Sequence, residues 1–102
     1  MNDKQIERTV YIIANAGDSR SHSMAAIESA KAGDFEEANK SINEANEALH
    51  KAHVEHTNLL SEDAKGEKVQ VTLLLVHASN HLSVAELTLD FAKEIITLYE
   101  KR

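Results

Sequence analysis

His77 and His81 stand one helical turn apart, directly after the apolar run Leu73-Leu74-Leu75-Val76. On a helix this spacing puts both imidazoles on one face. Imidazole titrates near neutral pH, so it can act as base, nucleophile or metal ligand. The pair therefore has three readings: a satisfied structural pair, a metal site, and a nucleophilic or acid–base histidine. The spacing lacks the glutamate that gives the HExxH metalloprotease motif its general base. No serine and aspartate partner set for acyl transfer is evident, and no glycine-rich phosphate loop. A nucleophilic histidine needs one ring nitrogen unprotonated and exposed, and the other held by a hydrogen bond that fixes the tautomer. Apolar walls would keep water from a phosphorylated ring. Phosphoryl transfer asks for positioning and charge stabilisation more than for covalent machinery. The small neighbours Ala78 and Ser79 leave room for a docking partner, and His81 is placed to contact a phosphoryl oxygen.

Six histidines among 102 residues is a high count for a small chain. His50, His53 and His56 step by three, and His22 stands alone. Helically spaced histidines can ligate a metal. Steps of three drift around a helix, however, and the same residues also read as partly buried or exposed polar positions.

The elements that would carry these residues are marked by Gly33 and Gly66, which divide the chain into three segments of similar length. In the first, Ile6, Val10, Ile13 and Gly17 step at helical spacing, continued by Met24, Ile27 and Ala30. Gly17 inside that pattern marks a close helix contact, a kink, or a place where a partner group approaches the backbone. Gly33 suits the residue after a helix C-cap, Asp34 suits an N-cap, and Glu37 completes a capping-box pattern. In the second segment Phe35, Ala38, Ile42, Ala45, Leu49, Ala52, His56 and Leu59 form an a/d heptad seam rich in alanine. In the third, the alternating Val69-Gln70-Val71-Thr72-Leu73 permits a short strand, but nothing is present to pair with it. The expected architecture is one all-α domain over residues 1–102. It is an antiparallel up-down-up three-helix bundle with helices over about 3–31, 34–63 and 67–101.

Four consecutive apolar residues, Leu73 to Val76, cover every face of a helix. A helix that is apolar all round is buried all round. In a three-helix subunit the third helix should keep a wet face, so the excess predicts an oligomer with that helix at the interface. The composition sets further bounds. The net charge of -6, with basic residues scattered among acids, argues against a nucleic-acid partner. The absence of cysteine excludes disulfides and thiolate metal sites. With no signal-like segment and no apolar run long enough to span a bilayer, the expected location is cytoplasmic.

Beyond its spacings, the sequence resembles the enzyme IIA component of the lactose/cellobiose (chitobiose)-type sugar phosphotransferase system. The most specific stretches are Ala32-Gly33-Asp34-Phe35-Glu36-Glu37-Ala38, Gly66-Glu67-Lys68-Val69 and Leu73-Leu74-Leu75-Val76-His77-Ala78. Ala16-Gly17 to Met24 and Ala52-His53 add to the likeness. The resemblance implies a homotrimer with helix three near the three-fold axis. It implies that His77 takes a phosphoryl group on Nε2, as tele-phosphohistidine, from the phosphocarrier HPr. The group would then pass to a cysteine of enzyme IIB, with uptake of a β-linked disaccharide through the membrane enzyme IIC. His81 would be auxiliary. Where the family usually reads His-Ala-Gln-Asp-His, this chain reads His77-Ala78-Ser79-Asn80-His81. The family aspartate is expected to hold a divalent cation with its symmetry mates. Asn80 is neutral and can donate and accept, so three copies could bond to one another without a metal. No cofactor is then required. Two other functions fit the residues alone: a non-catalytic helical interaction module, and a metal-binding bundle built on His77 and His81.

Overall fold

Each helix begins at a side-chain cap. The Asn2 carboxamide accepts from the Gln5 backbone N–H at 2.8 Å and opens α1 (Asp3–Lys31). Asp34 accepts from the Glu37 N–H at 3.1 Å and opens α2 (Phe35–Ala64). Thr72 accepts from the Leu75 N–H at 3.3 Å and opens α3 (Leu73–Glu100). These bonds satisfy donors that a helix start leaves without partners. The computed structural model describes all residues, 1–102, as an up-down-up bundle with long axis 52 Å.

Both turns use one device. Gly33 and Gly66 adopt φ of 80° and 84°, the left-handed region that glycine enters without a Cβ clash. The Gly33 N–H donates to the Ala30 carbonyl and the Asp34 N–H to that of Ser29. Gly66 and Glu67 repeat the pattern on Asp63 and Glu62. Both are Schellman closures. The expected capping box is half formed: the Asp34 N–H that Glu37 would accept from is already spent on Ser29.

The third helix starts at Leu73, not near residue 67 as the sequence pattern suggested. The reason lies on α1. The Gln5 amide nitrogen donates to the Gln70 carbonyl at 2.7 Å, and the Gln70 N–H donates to Gln5 Oε1 at 3.2 Å. One side chain thus takes the place of a strand partner and holds residues 67–72 outside the helix. Replacing Gln5 with leucine should cost about 1–2 kcal/mol, because both Gln70 groups lose a partner at once. Thermal denaturation together with amide exchange at Gln70 checks this; an unchanged exchange rate would contradict the role assigned to Gln5.

The α2 seam packs as its heptad spacing predicts: Ala38, Ile42, Ala45, Ala52 and Leu59 are buried. The α1 face is different. Its buried line is Gln5, Thr9, Ile12, Ala16, Ser19, Ser23, Ala26 and Ala30, whereas Ile6, Val10 and Met24 stay exposed. Alanines and serines let α1 lie close against its neighbours; Ile12 is the one bulky apolar residue on that line, and Ile6, Val10 and Met24 turn outward. Ser19 Oγ, fully buried, donates to the Ala45 carbonyl at 2.9 Å across the α1–α2 contact. At the other end of that contact, Arg8 clamps Glu62 through two nitrogens and also pairs with Glu55. The arginine bonds hold the Glu62 carboxyl below its ordinary range. Gly17 meets nothing within 4 Å of an added Cβ, so no close contact inside the subunit explains it.

Candidate functional site

Helix α3 has two apolar faces. Ala78, Leu82, Ala85, Leu89, Ala92 and Ile96 are buried against α1 and α2. Leu73, Val76, Val84, Leu87, Phe91 and Leu98 are exposed, Leu73 by 85% and Phe91 by 59%. At about 100° per residue this second line runs roughly opposite the core face. Asn80 falls near its centre, with no hydrogen bond to its side-chain amide within the subunit.

His77 lies about 60° round the helix from Asn80, on the rim of the exposed line. It is exposed, and with Leu73, Leu74, Val76 and Asn80 it lines an open depression. The half-buried His81 stands beside it. The two rings meet edge to face, with centroids 4.4 Å apart and planes at 90°. Their Nε2 atoms are 3.0 Å apart. A hydrogen bond at that distance needs one nitrogen protonated and the other bearing a lone pair. The contact that sets the tautomer is therefore made at Nε2 itself, and not at the second ring nitrogen as the sequence argument supposed. No third His, Asp or Glu converges on the pair to complete a metal-ligand cluster.

The neighbours in sequence are elsewhere in space. Ala78 is fully buried in the core. Ser79, two positions from His77, is turned about 200° away from it. Its hydroxyl sits 2.9 Å from His56 Nε2 on α2. Neither residue leaves an opening beside His77, contrary to the sequence expectation. His53 Nε2 lies 3.2 Å from Glu86 on α3, and His22 Nδ1 lies 3.0 Å from Glu44 on α2. His50 is exposed on α2. These histidines act as clasps between helices or sit at the surface. The residues missed in the sequence, Glu86 and Glu44, carried no local signal because each pairs across helices.

Burial holds the His56 ring below the ordinary value of 6.5, and nearby His53 adds to the effect. The folded protein thus favours neutral His56. Its contribution to stability is complete above pH 6.5 and falls as acid protonates the ring. The thermal midpoint should drop less between pH 7.5 and 5.5 in His56→Gln than in the parent chain; equal drops in calorimetry would refute this.

A helical bundle with an exposed imidazole, paired with a half-buried one, beside an unpartnered apolar line has close counterparts. The chain matches the family described as "PTS system, Lactose/Cellobiose specific IIA subunit" over residues 7–100. It is 48% identical, over 99% of its length and 92% of the relative's, to the lichenan-specific phosphotransferase enzyme IIA component of Bacillus subtilis. It is 38% identical to the N,N'-diacetylchitobiose-specific EIIA component of Escherichia coli, over 96% of this chain and 85% of that one. The crystal structure of the cellobiose-specific enzyme IIA from Bacillus anthracis superimposes with a TM-score of 0.94 at 37% identity, covering 99% and 93% of the two chains. A chitobiose IIA solved in complex with HPr gives 0.86 at 36% identity, covering 98% and 97%. The chain belongs to the lactose/cellobiose-specific IIA family of the sugar phosphotransferase system, and is a phosphotransferase component. No helix is long and apolar enough to cross a membrane.

Proposed function

We propose that His77 accepts a phosphoryl group from phospho-HPr on Nε2 and passes it to a cysteine of the cognate enzyme IIB. The reading serves uptake of a β-linked disaccharide through enzyme IIC, and places the protein in the cytoplasm. The observation that carries it is the exposed imidazole whose Nε2 faces His81 Nε2 at 3.0 Å. With the proton on His81, the single Nε2 lone pair of His77 stays unprotonated but accepts the His81 N–H, so that bond opens before the nitrogen attacks. That lone pair forms the N–P bond as the donor's P–N bond breaks. As its bond to the His77 nitrogen opens, the His81 N–H turns to a phosphoryl oxygen and offsets charge there. Half-buried Leu74, which lines the open depression with His77, offers an apolar wall that limits water at the phosphorylated ring. The HPr complex of the chitobiose relative supports the donor.

The subunits are proposed to assemble as a homotrimer with the exposed line of α3 on the three-fold axis. That line follows heptad steps, carries no charge from Leu73 to Phe91, and is complementary to copies of itself. Incubation with phospho-HPr should place one acid-labile phosphoryl group on each chain. No uptake from any HPr would leave a non-catalytic helical module as the answer. In His81→Ala, the stoichiometry should stay at one while the transfer rate falls roughly 10- to 100-fold, on the scale of lost proton or charge assistance. Rapid-quench labelling measures both; an unchanged rate removes His81 from the site.

A further inference from the structure

Asn80 is the one polar residue between Leu73 and Phe91 on a line otherwise made of Leu73, Val76, Val84, Leu87 and Phe91. Its amide finds no hydrogen-bond partner in the subunit. An exposed amide needs none, since water serves. On the axis of the proposed trimer water is excluded, and a buried amide without a partner costs about 1–3 kcal/mol. A carboxamide carries both a donor and an acceptor, so identical copies around an axis can satisfy one another. A single buried asparagine among apolar seam residues is a known means of fixing register and strand number.

The donor chemistry also bears on the divalent cation that the family resemblance places at this level. A hard divalent cation is held by carboxylates that offset its charge. Three neutral amide oxygens supply none, and within the subunit no group of three His, Asp or Glu forms near Asn80. The residues present do not fit the ion.

We propose that Asn80 sets the register of the trimer through a ring of amide hydrogen bonds across the three-fold axis, and that assembly takes no divalent cation there. This rests on the trimer reading above. Trimeric Asn80 brings together three polar side chains and no charge. Trimeric aspartate would bring three like charges, which repel unless a cation lies between them.

The test is light scattering and sedimentation of the full chain, with EDTA or with added magnesium or calcium, alongside metal analysis of the purified protein. The parent chain should hold one trimer mass in every buffer and carry no stoichiometric metal. Asn80→Asp should lose the trimer in EDTA and regain it with either cation. Asn80→Val should stay trimeric in EDTA with a higher thermal midpoint, because the imperfectly satisfied amide is gone. A parent trimer that dissociates in EDTA, or that carries about one cation per three chains, overturns the proposal and leaves the trimer standing. An Asn80→Asp trimer indifferent to EDTA moves Asn80 off the axis and overturns it too. A parent chain that is monomeric in all buffers overturns the trimer reading, and this proposal with it.

Discussion

His77→Ala should bring phosphoryl uptake from phospho-HPr to background, a loss of more than about 10³-fold, as expected when the nucleophile of a transfer reaction is removed. None of the other imidazoles on or facing α3 is placed to replace it. His81 is the nearest imidazole, but it is half-buried and lies behind His77 relative to the exposed line of α3. His53 and His56 face α3 from α2, engaged with Glu86 and Ser79. His53→Ala should therefore keep one phosphoryl group per chain. Folding does not confound the comparison, because His77 is exposed and its only side-chain hydrogen bond is to His81. Circular dichroism of His77→Ala should match that of the parent. A label that survives His77→Ala and disappears in His81→Ala would transfer the acceptor role to the second ring. Tight stoichiometric zinc binding, abolished by either substitution, would favour the metal-binding bundle instead.

Leu87→Glu should convert the proposed trimer to a monomer, taking the mass from three times 11.3 kDa to 11.3 kDa by light scattering. Leu87 lies on the exposed line of α3, away from the core face that holds Leu82, Ala85 and Leu89. The substitution thus spares the subunit and strikes the assembly. Burying each of the six large residues of that line, which are 44% to 85% exposed in the subunit, contributes roughly 1 kcal/mol or more. Three carboxylates forced together on the axis reverse that gain, since an uncompensated buried charge costs several kcal/mol. Glu47→Ala, on the exposed face of α2, should leave the mass unchanged. A parent chain that runs as a monomer at micromolar concentration would remove the assembly argument. A Leu87→Glu trimer would move the interface to another face.

These two experiments probe features of different legibility. The His77–His81 pair is a local fact: residues four apart on a helix are neighbours whatever the helix packs against. The same holds for Gly33 and Gly66, whose left-handed turns close the first two helices, and for the alanine seam of α2. The double-faced character of α3 was also visible, because four adjacent apolar residues cannot share one face. Capping and periodicity act within about one turn, so the sequence carries them directly.

Rotation of one helix against another is not a local property. On α1 the strongest apolar stripe, Ile6, Val10 and Ile13, suggested the core face, yet the buried line is the one through Thr9, Ile12, Ala16 and Ser19. Close packing selected small side chains over hydrophobic ones. The start of α3 was misplaced by several residues because Gln5, distant in sequence, binds the Gln70 backbone. Ser79 is two positions from His77 in sequence but is tied to His56 across the bundle. The sequence by itself determined three helices, their stops and a histidine pair on one face. Only the tertiary structure decided which faces meet, since the helix rotations depend on how all three surfaces fit together at once.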